Sequence, residues 1–551
     1  MHTRLPDTAA GRDAGGTLEE AFGLFNAGDL TASLELCRRL CEAGRADARL
    51  WCLRAVIEGR RKDVWSALQS AKKAVELAPD NVDCWFNLGL AQLYCNFPVA
   101  ALASFRRVRE KNPGHRFVWQ FLGQSYEGCG DYEKAVDCYQ RTLDSFPGDV
   151  AILSFVARRF EMMQMADRCR ELARKIITLE PDHVDANIML ARLDRYDGNH
   201  EPARERLDRL LQADLAVVDR VNVCNEKGHL LDRMGEYGNA FECFAAKRML
   251  ENTDNARQFD AGVIHQQVRR LKRAITPEAV QSWERYDCRD GLPSPVFLVA
   301  FPRSGTTLLE KILATNESLV TSNESNLLQY VRGSLKRIAR SGHDYPDVLN
   351  HLDRRQILSA RRLYWEYARA VLGAEIEGKV LLDKLPLNII DVALINRIFP
   401  ESRILFVSRD PRDVCLSNLM QIYLQNNAMS AFNTLEGSAR LYADVMGLWF
   451  YYRKTLEMNL FEIRYEDLVS DPERHVRELI GFLGFEWSDA YLNHSDRSNY
   501  KYLSTPSVLD VNRPIYRRAR FRWKNYRRQL EPVMEVLRAP VGKLGYMGDG
   551  D

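Results

Sequence analysis

The chain has 551 residues, enough for two to four domains, with 46% hydrophobic and 28% charged residues as in ordinary globular proteins. Lys plus Arg is 77 against 75 for Asp plus Glu, so the basic excess of a general nucleic-acid binder is missing. No run of about eighteen apolar residues occurs, so no spanning helix is expected.

Residues 1–16 (MHTRLPDTAAGRDAGG) lack the apolar core of a signal peptide and read as a disordered leader. The twelve cysteines are scattered without a C-x-x-C pair, and ten precede residue 245. They read as buried reduced thiols of a cytoplasmic protein. Cys37 and Cys41 lie one helical turn apart, but no histidine ligands stand near them, so no metal site is read there.

A period then dominates the first half. Pro79, Pro113, Pro147 and Pro181 are spaced by 34 residues. Trp51, Trp85 and Trp119 keep that step, as do Ala67, Ala101, Ala135, Cys169 and Ala203. So do Ala55, Gly89, Gly123, Ala157 and Ala191. A further unit follows after a three-residue shift, and residues 17–44 resemble an imperfect first one. Small residues at fixed places let two helices approach, aromatics fill the gaps, and proline ends the second helix. The pattern resembles the tetratricopeptide (TPR) repeat, implying an all-α superhelix over residues 17–270. The groove of such an array suits an extended peptide, or self-association into an oligomer.

Residues 271–294 read as a linker, and the texture changes after it. Val296–Phe301 is a short apolar strand, followed by a tight loop, PRSGTT, and an amphipathic helix from about Thr306. Further strands are expected at 379–384 (KVLLDK), at 403–407 with a helix from about Pro411, and near 461 (FEIRYEDL). Strands alternating with helices predict an α/β fold with a parallel sheet and ligands at the strands' carboxyl ends. In the loop, Gly305 permits a sharp turn. The N–H groups of residues 304–307 would converge beside a helix N-terminus, with the Thr306 and Thr307 hydroxyls and Arg303 adding donors and charge. This is an anion site without the G-K-[ST] of a Walker loop, which speaks against a phosphoryl-transferring kinase.

Strand, PRSGTT and helix together resemble the phosphosulfate loop of sulfotransferases, most closely the tyrosylprotein sulfotransferases and their bacterial relatives; the resemblance spans about residues 295–540 and implies a sulfotransferase domain over 295–551. The resemblance implies that Arg303, Ser304, Gly305, Thr306 and Thr307 hold the 5′ end of 3′-phosphoadenosine 5′-phosphosulfate (PAPS). It implies that Arg409 and Ser417 of SRDPRDVCLS hold the 3′-phosphate, and that Tyr465 and Arg522 lie near the nucleotide. Glu324 falls where that family keeps its general base, and Lys384 and Ser507 match groups that stabilise the leaving phosphate. Two departures stand out: Arg522 replaces a lysine, and Gln421 replaces a basic residue one turn after Ser417. The segment 513–528 carries eight basic residues and no acidic one. It reads as a strap over an anionic nucleotide, against a solvated helix face or a nucleic-acid patch.

The expected activity is therefore sulfuryl transfer from PAPS, with no metal, to a hydroxyl, most closely a peptide or protein tyrosine held by the repeats. A saccharide or small hydroxylated metabolite as acceptor, or a TPR scaffold with a non-catalytic nucleotide domain, are the alternatives. Every candidate nucleotide residue follows residue 295, so removing residues 1–270 is expected to leave nucleotide binding intact.

Overall fold

The computed structural model describes residues 17–44, 47–61, 63–255, 259–283, 290–493, 515 and 519–547. The chain divides into two compact units: Met1–Pro147 with Ala370–Gly373, and Gly148–Arg369 with Ala374–Asp551.

The first unit consists of helical hairpins. Its helices are α1 (Leu18–Asn26), α2 (Leu30–Glu42), α3 (Ala48–Arg60), α4 (Val64–Leu77), α5 (Val82–Tyr94), α6 (Pro98–Lys111), α7 (Val118–Gly128) and α8 (Tyr132–Ser145). Sequence signals set their ends. The side chains of Asp29, Asp47, Asp63, Asn81 and Asp131 accept N–H bonds as N-caps. Helices α4 and α6 stop two residues before Pro79 and Pro113, because proline bars the preceding residue from helical geometry. The small-residue column has a direct steric cause. A Cβ on Gly89 would stand 2.6 Å from the Phe105 ring, and one on Gly123 would stand 2.5 Å from Tyr139. Buried polar bridges also recur across hairpins: Ser70 donates to Glu58, Ser104 to Gln92, and Tyr139 to Glu127.

The second unit opens with α9 (Val150–Met162), α10 (Ala166–Leu179), α11 (Val184–Asp197), α12 (His200–Gln212), α13 (Val217–Met234) and α14 (Tyr237–Asn255). The shifted last hairpin keeps the same lock, with Gly228 against the Phe244 ring. Five parallel strands follow: β1 (Val296–Ala300), β2 (Leu319–Thr321), β3 (Val380–Lys384), β4 (Arg403–Ser408) and β5 (Asn459–Arg464), in the order β2-β3-β1-β4-β5. Before, between and after them run α15 (Gly262–Ala274), α16 (Pro277–Gln281), α17 (Thr306–Leu313), α18 (Leu327–Ala339), α19 (Arg354–Leu372), α20 (Val392–Ile398), α21 (Pro411–Leu419), α22 (Leu435–Thr455), α23 (Tyr465–Ser470) and α24 (Pro472–Leu483). Helices cover both faces of the sheet's centre, which is why β1, β3 and β4 carry apolar runs rather than alternating patterns, while edge strand β5 leaves Asn459 and Glu462 exposed. Val296 and Leu298 pack with Leu309 and Ile312 of α17 and Leu479 of α24. On the other face Phe297 meets Tyr364, and Phe406 stacks on Trp449 at 4.4 Å. Among the described residues no helix is long and apolar enough to cross a membrane.

β2 is a strand beyond the four expected, with only three residues at the sheet edge, too few to give a hydrophobic pattern. One expectation needs correction. Helix α17 is not amphipathic toward solvent: all eight residues are buried, Glu310 and Lys311 included.

Candidate functional site

The PRSGTT loop turns at the carboxyl end of β1 through two left-handed residues, Arg303 (φ 75°) and Gly305 (φ 103°). Glycine is required at 305 twice over: for its φ, and because a Cβ would lie 2.5 Å from the Tyr465 ring. The Ser304 N–H turns back to the Phe301 carbonyl at 3.3 Å, so the expected nest of amides is smaller than 304–307. Thr306 and Thr307 open α17, where first-turn N–H groups have no partner within the helix. The loop therefore presents a helix N-terminus with its positive dipole end.

Arg303, Ser417 and Arg409 meet at this loop. Arg303 Nε donates to Ser417 Oγ at 3.1 Å, and Arg409 Nη1 donates to the Arg303 carbonyl at 3.1 Å. Arg409 lies over the Tyr465 ring, 4.9 Å from its centroid. Its Nη2 reaches the Ala519 carbonyl at 2.6 Å and lies 3.7 Å from Asp413 Oδ2. Asp413 is fully buried on α21 and accepts the Trp523 N–H at 2.7 Å. Burial pushes its carboxyl up to about 7, against the pull of Arg409. Residues 519–526 thus run beside Arg409 and Asp413.

Lys384 ends β3 with a fully buried side chain between two carboxylates. Its Nζ is 2.8 Å from Glu310 Oε2 and 2.5 Å from Glu324 Oε1. Burial alone would lower its basicity, but Glu310 and Glu324 outweigh burial and raise it, so Lys384 stays an ammonium. Burial raises Glu310, opposed by Lys384 and by the Thr321 hydroxyl it accepts. Glu324 reaches Lys384 because its segment continues β2 along β3. Ser322 N–H donates to the Leu382 carbonyl, and Glu324 N–H to the Lys384 carbonyl. Asn323 and Glu324 both take left-handed φ, 49° and 61°, which turns the chain out of the strand there. The Glu324 side chain keeps 28% of its exposure, whereas Glu310 has none. Next to Lys384, buried Asp383 accepts from the Tyr364 hydroxyl at 2.7 Å and from Ser322, and burial pushes it up to about 7.

The two clusters share α17, whose first turn carries Thr306 and Thr307 and whose next turn carries Glu310. Tyr423 lies within electrostatic reach of both, with Arg303 and Glu324 acting on its hydroxyl. Arg522 points elsewhere in this structure: its Nη2 pairs with Asp232 on α13 at 2.6 Å. Ser507 and Arg513 lie outside the described residues. Sequence reasoning missed Glu310, Asp413 and Asp232. Only Glu310 left a signal, as an acidic residue inside the apolar helix LLEKIL. Among the described residues no group of three metal-ligating side chains occurs.

Residues 295–489 match the family model described as "Sulfotransferase family", and residues 118–148 match a tetratricopeptide repeat. The repeat match precedes the sulfotransferase match in the chain, and the two together cover less than half of its residues. It is 24% identical over 419 residues to an uncharacterized protein of Aquifex aeolicus, covering 75% of this chain and 53% of that one. It is 24% identical over 210 residues to protein-tyrosine sulfotransferase 2 of Gallus gallus, covering 36% of this chain and 54% of that one. A solved sulfotransferase domain of the Synechococcus PCC 7002 olefin synthase aligns at 20% identity with a TM-score of 0.31, over 44% of this chain and 91% of that one. The chain spans about half the length of the curated relatives it matches first.

Proposed function

We propose that this protein is a sulfotransferase that moves a sulfuryl group from PAPS to an acceptor hydroxyl, with residues 295–551 catalytic and the repeats of 17–270 holding the acceptor. The observation that carries the reading is the Glu324–Lys384–Glu310 cluster one helical turn from an anion-binding loop. The residues suit the nucleotide. The Gly305 turn leaves no room for a side chain, α17 directs its N-terminus at the loop, and Arg409 is oriented by two backbone carbonyls. A carboxylate, an ammonium and an anion cradle are the parts that transfer to a hydroxyl requires. The acceptor oxygen forms the new O–S bond and gives its proton to Glu324. The bond from sulfur to the phosphate oxygen breaks, and its electron pair leaves on that oxygen. Arg303, Lys384, the α17 N-terminus and Ser507 stabilise the charge that builds there. The roles are electrostatic and need no metal.

For the acceptor, the reading is a tyrosine of a peptide or protein in a cytoplasmic setting. The resemblance of the PRSGTT loop and of Glu324 to the tyrosylprotein enzymes supports this, as does a relative with that activity in its name. A repeat groove suited to extended chains supports it too. The test is calorimetric titration of the full chain with 3′,5′-ADP and 5′-AMP. The reading expects clear preference for the nucleotide with a 3′-phosphate. Equal affinity for the two removes PAPS as the donor.

A further inference from the structure

Helix α21 begins two residues after Arg409 and carries Ser417, so its placement fixes the phosphate clamp. It is nine residues long, the Met420 N–H turns back to the Leu416 and Asn418 carbonyls, and further donors meet the carbonyls at and just past its end. Those carbonyls are met by side chains from α13 and α14, nearly two hundred residues away in sequence. Lys247 Nζ donates to the Leu419 carbonyl at 2.9 Å, to the Gln421 carbonyl at 2.7 Å and to Asn225 Oδ1 at 3.0 Å. Arg248 Nη2 donates to the carbonyls of Asn418 at 2.6 Å and Gln421 at 2.8 Å, while Nη1 pairs with Glu251. His229 Nε2 lies 3.1 Å from the Met420 carbonyl and must donate there. Burial, with Arg195 nearby, holds His229 neutral. Four successive carbonyls are thus capped by three side chains of one hairpin.

Arg248 at the helix C-terminus complements its dipole, whereas burial, with Arg248 beside it, lowers Lys247 well below its ordinary basicity, so Lys247 acts there through its hydrogen bonds. Lys247 is fully buried with three bonded acceptors, an arrangement far too costly for a surface lysine that merely packs. The tie extends to the loop. Asn418 Nδ2 donates to the Pro302 carbonyl at 3.2 Å, and its Oδ1 accepts from Tyr423 at 2.6 Å. A second tie joins the same hairpin to the C-terminal segment. Asp232 of α13 accepts from Arg522 and from the Tyr526 hydroxyl at 2.6 Å, and the next residue after Arg522, Trp523, is bonded to Asp413 of α21. Tyr237 packs edge-on against Tyr526 at 5.3 Å.

We propose that the last repeat hairpin, residues 217–255, is a built-in positioning element of the nucleotide site, with Lys247, Arg248 and Asp232 as its positioning residues. The inference rests on the proposed nucleotide role of Arg409 and Ser417. It replaces the expectation that residues 1–270 can be removed without cost to nucleotide binding. At Gln421, where the resemblance leads one to expect a basic side chain, the Lys247 and Arg248 side chains of α14 donate to the backbone instead.

The test compares Lys247→Met and Asp232→Asn with Glu226→Gln in the full-length protein. Glu226 is buried in the same hairpin but pairs with Arg192 and Arg195 of α11, so its loss weakens the hairpin without touching α21. Amide hydrogen exchange of residues 411–421 and 302–307 is the first readout. It should quicken at least tenfold in Lys247→Met and not in Glu226→Gln at matched global stability. Affinity for 3′,5′-ADP should fall at least tenfold in Lys247→Met and in Asp232→Asn, and remain near wild type in Glu226→Gln. Equal exchange in Lys247→Met and Glu226→Gln, or unchanged nucleotide affinity in the first two variants, overturns the proposal. Should the wild-type protein bind no 3′,5′-ADP, the donor assignment fails, and the exchange comparison still decides whether the hairpin positions α21.

Discussion

Glu310 and Glu324 contact the same ammonium, yet their surroundings predict opposite consequences when each is replaced by glutamine. Glu324 is 28% exposed at the end of a strand extension, and Glu310 is fully enclosed in α17. Glu324→Gln keeps the shape and leaves Lys384 its enclosed partner, so stability should change by under about 1 kcal/mol. Its basicity is gone, so turnover on a phenolic acceptor should fall by roughly 10²–10⁴ with nucleotide affinity retained. Glu310→Gln instead strips an enclosed counter-ion from an enclosed ammonium. Losing one member of such a pair costs about 3–5 kcal/mol, and the remaining hydrogen bond and Glu324 keep this variant near the lower end. Denaturant melts and steady-state sulfuryl transfer from PAPS measure the two quantities separately. The assignment of Glu324 as the base is refuted if its glutamine variant turns over normally. It is equally refuted if that variant loses stability as Glu310→Gln does and no more activity than the melt accounts for. Glu324 would then be only a second counter-ion.

Arg409→Ala should reduce the preference for 3′,5′-ADP over 5′-AMP by about thirtyfold, the worth of roughly 2 kcal/mol for a charged hydrogen bond, and an undiminished preference in calorimetry removes Arg409 from the clamp. Gly305→Ala should weaken nucleotide binding strongly, because the added Cβ meets the Tyr465 ring at 2.5 Å in a left-handed residue; wild-type affinity would show that the loop tolerates a different turn. In the repeats, Gly123→Ala should lower stability by about 1–3 kcal/mol through overpacking against Tyr139, read from denaturant midpoints. The carboxyls of Asp383 and Asp413, both pushed up to about 7 by burial, hold their protons in the folded state after the unfolded chain has released them. Stability should therefore fall as pH rises from about 4 to about 7, by up to roughly 1.4 kcal/mol per pH unit for each group, and level off above. Asp383→Asn should remove its share of that slope in melts at pH 5 and pH 8, and an unchanged slope assigns it to other groups.

Where the chain repeats a local rule, its sequence predicted the fold well. The 34-residue columns marked the helix ends, because aspartate caps and prolines act on their immediate neighbours. The apolar runs of β1, β3 and β4 marked strands, because both faces of the sheet are covered there. β2 escaped notice because three residues at an edge make no pattern, although its extension brings Glu324 to Lys384. In the site, the loop was legible from Gly305, whose conformation is local. Glu310 was hidden because the pattern marks which face of a helix is apolar, not whether the other face is covered too. Asp232 and Lys247 were hidden for a stronger reason. Their partners lie 290 and 172 residues away, and no spacing rule links them.

Each cation of the candidate site is held by acceptors of the protein itself. Arg303 donates to Ser417, Arg409 to the carbonyls of Arg303 and Ala519, Lys384 to Glu310 and Glu324, and Arg522 to Asp232. Catalysis by fixed charges depends on such support, since a cation already oriented spends little energy reorganising as charge develops on the substrate. The supports differ in kind, and the difference assigns distinct duties. Arg303 donates to a hydroxyl, and Arg409 donates to two carbonyls and lies 3.7 Å from Asp413, whose carboxyl burial pushes up to about 7. Two carboxylates offset the charge of Lys384 at rest, and in the proposed mechanism the proton taken up by Glu324 would free that charge for the leaving phosphate. Asp232 neutralises Arg522 at a hairpin of the repeats, so the same arginine that resembles a nucleotide ligand also fastens the C-terminal segment to that hairpin. Weakening the Asp232 contact should then act on nucleotide affinity through placement of residues 519–526 and leave the proton transfer at Glu324 untouched. The separation is measurable: Asp232→Asn should raise the KM for PAPS while kcat at saturating PAPS stays within about threefold of wild type. A fall in kcat with an unchanged KM would place Asp232 on the catalytic path instead.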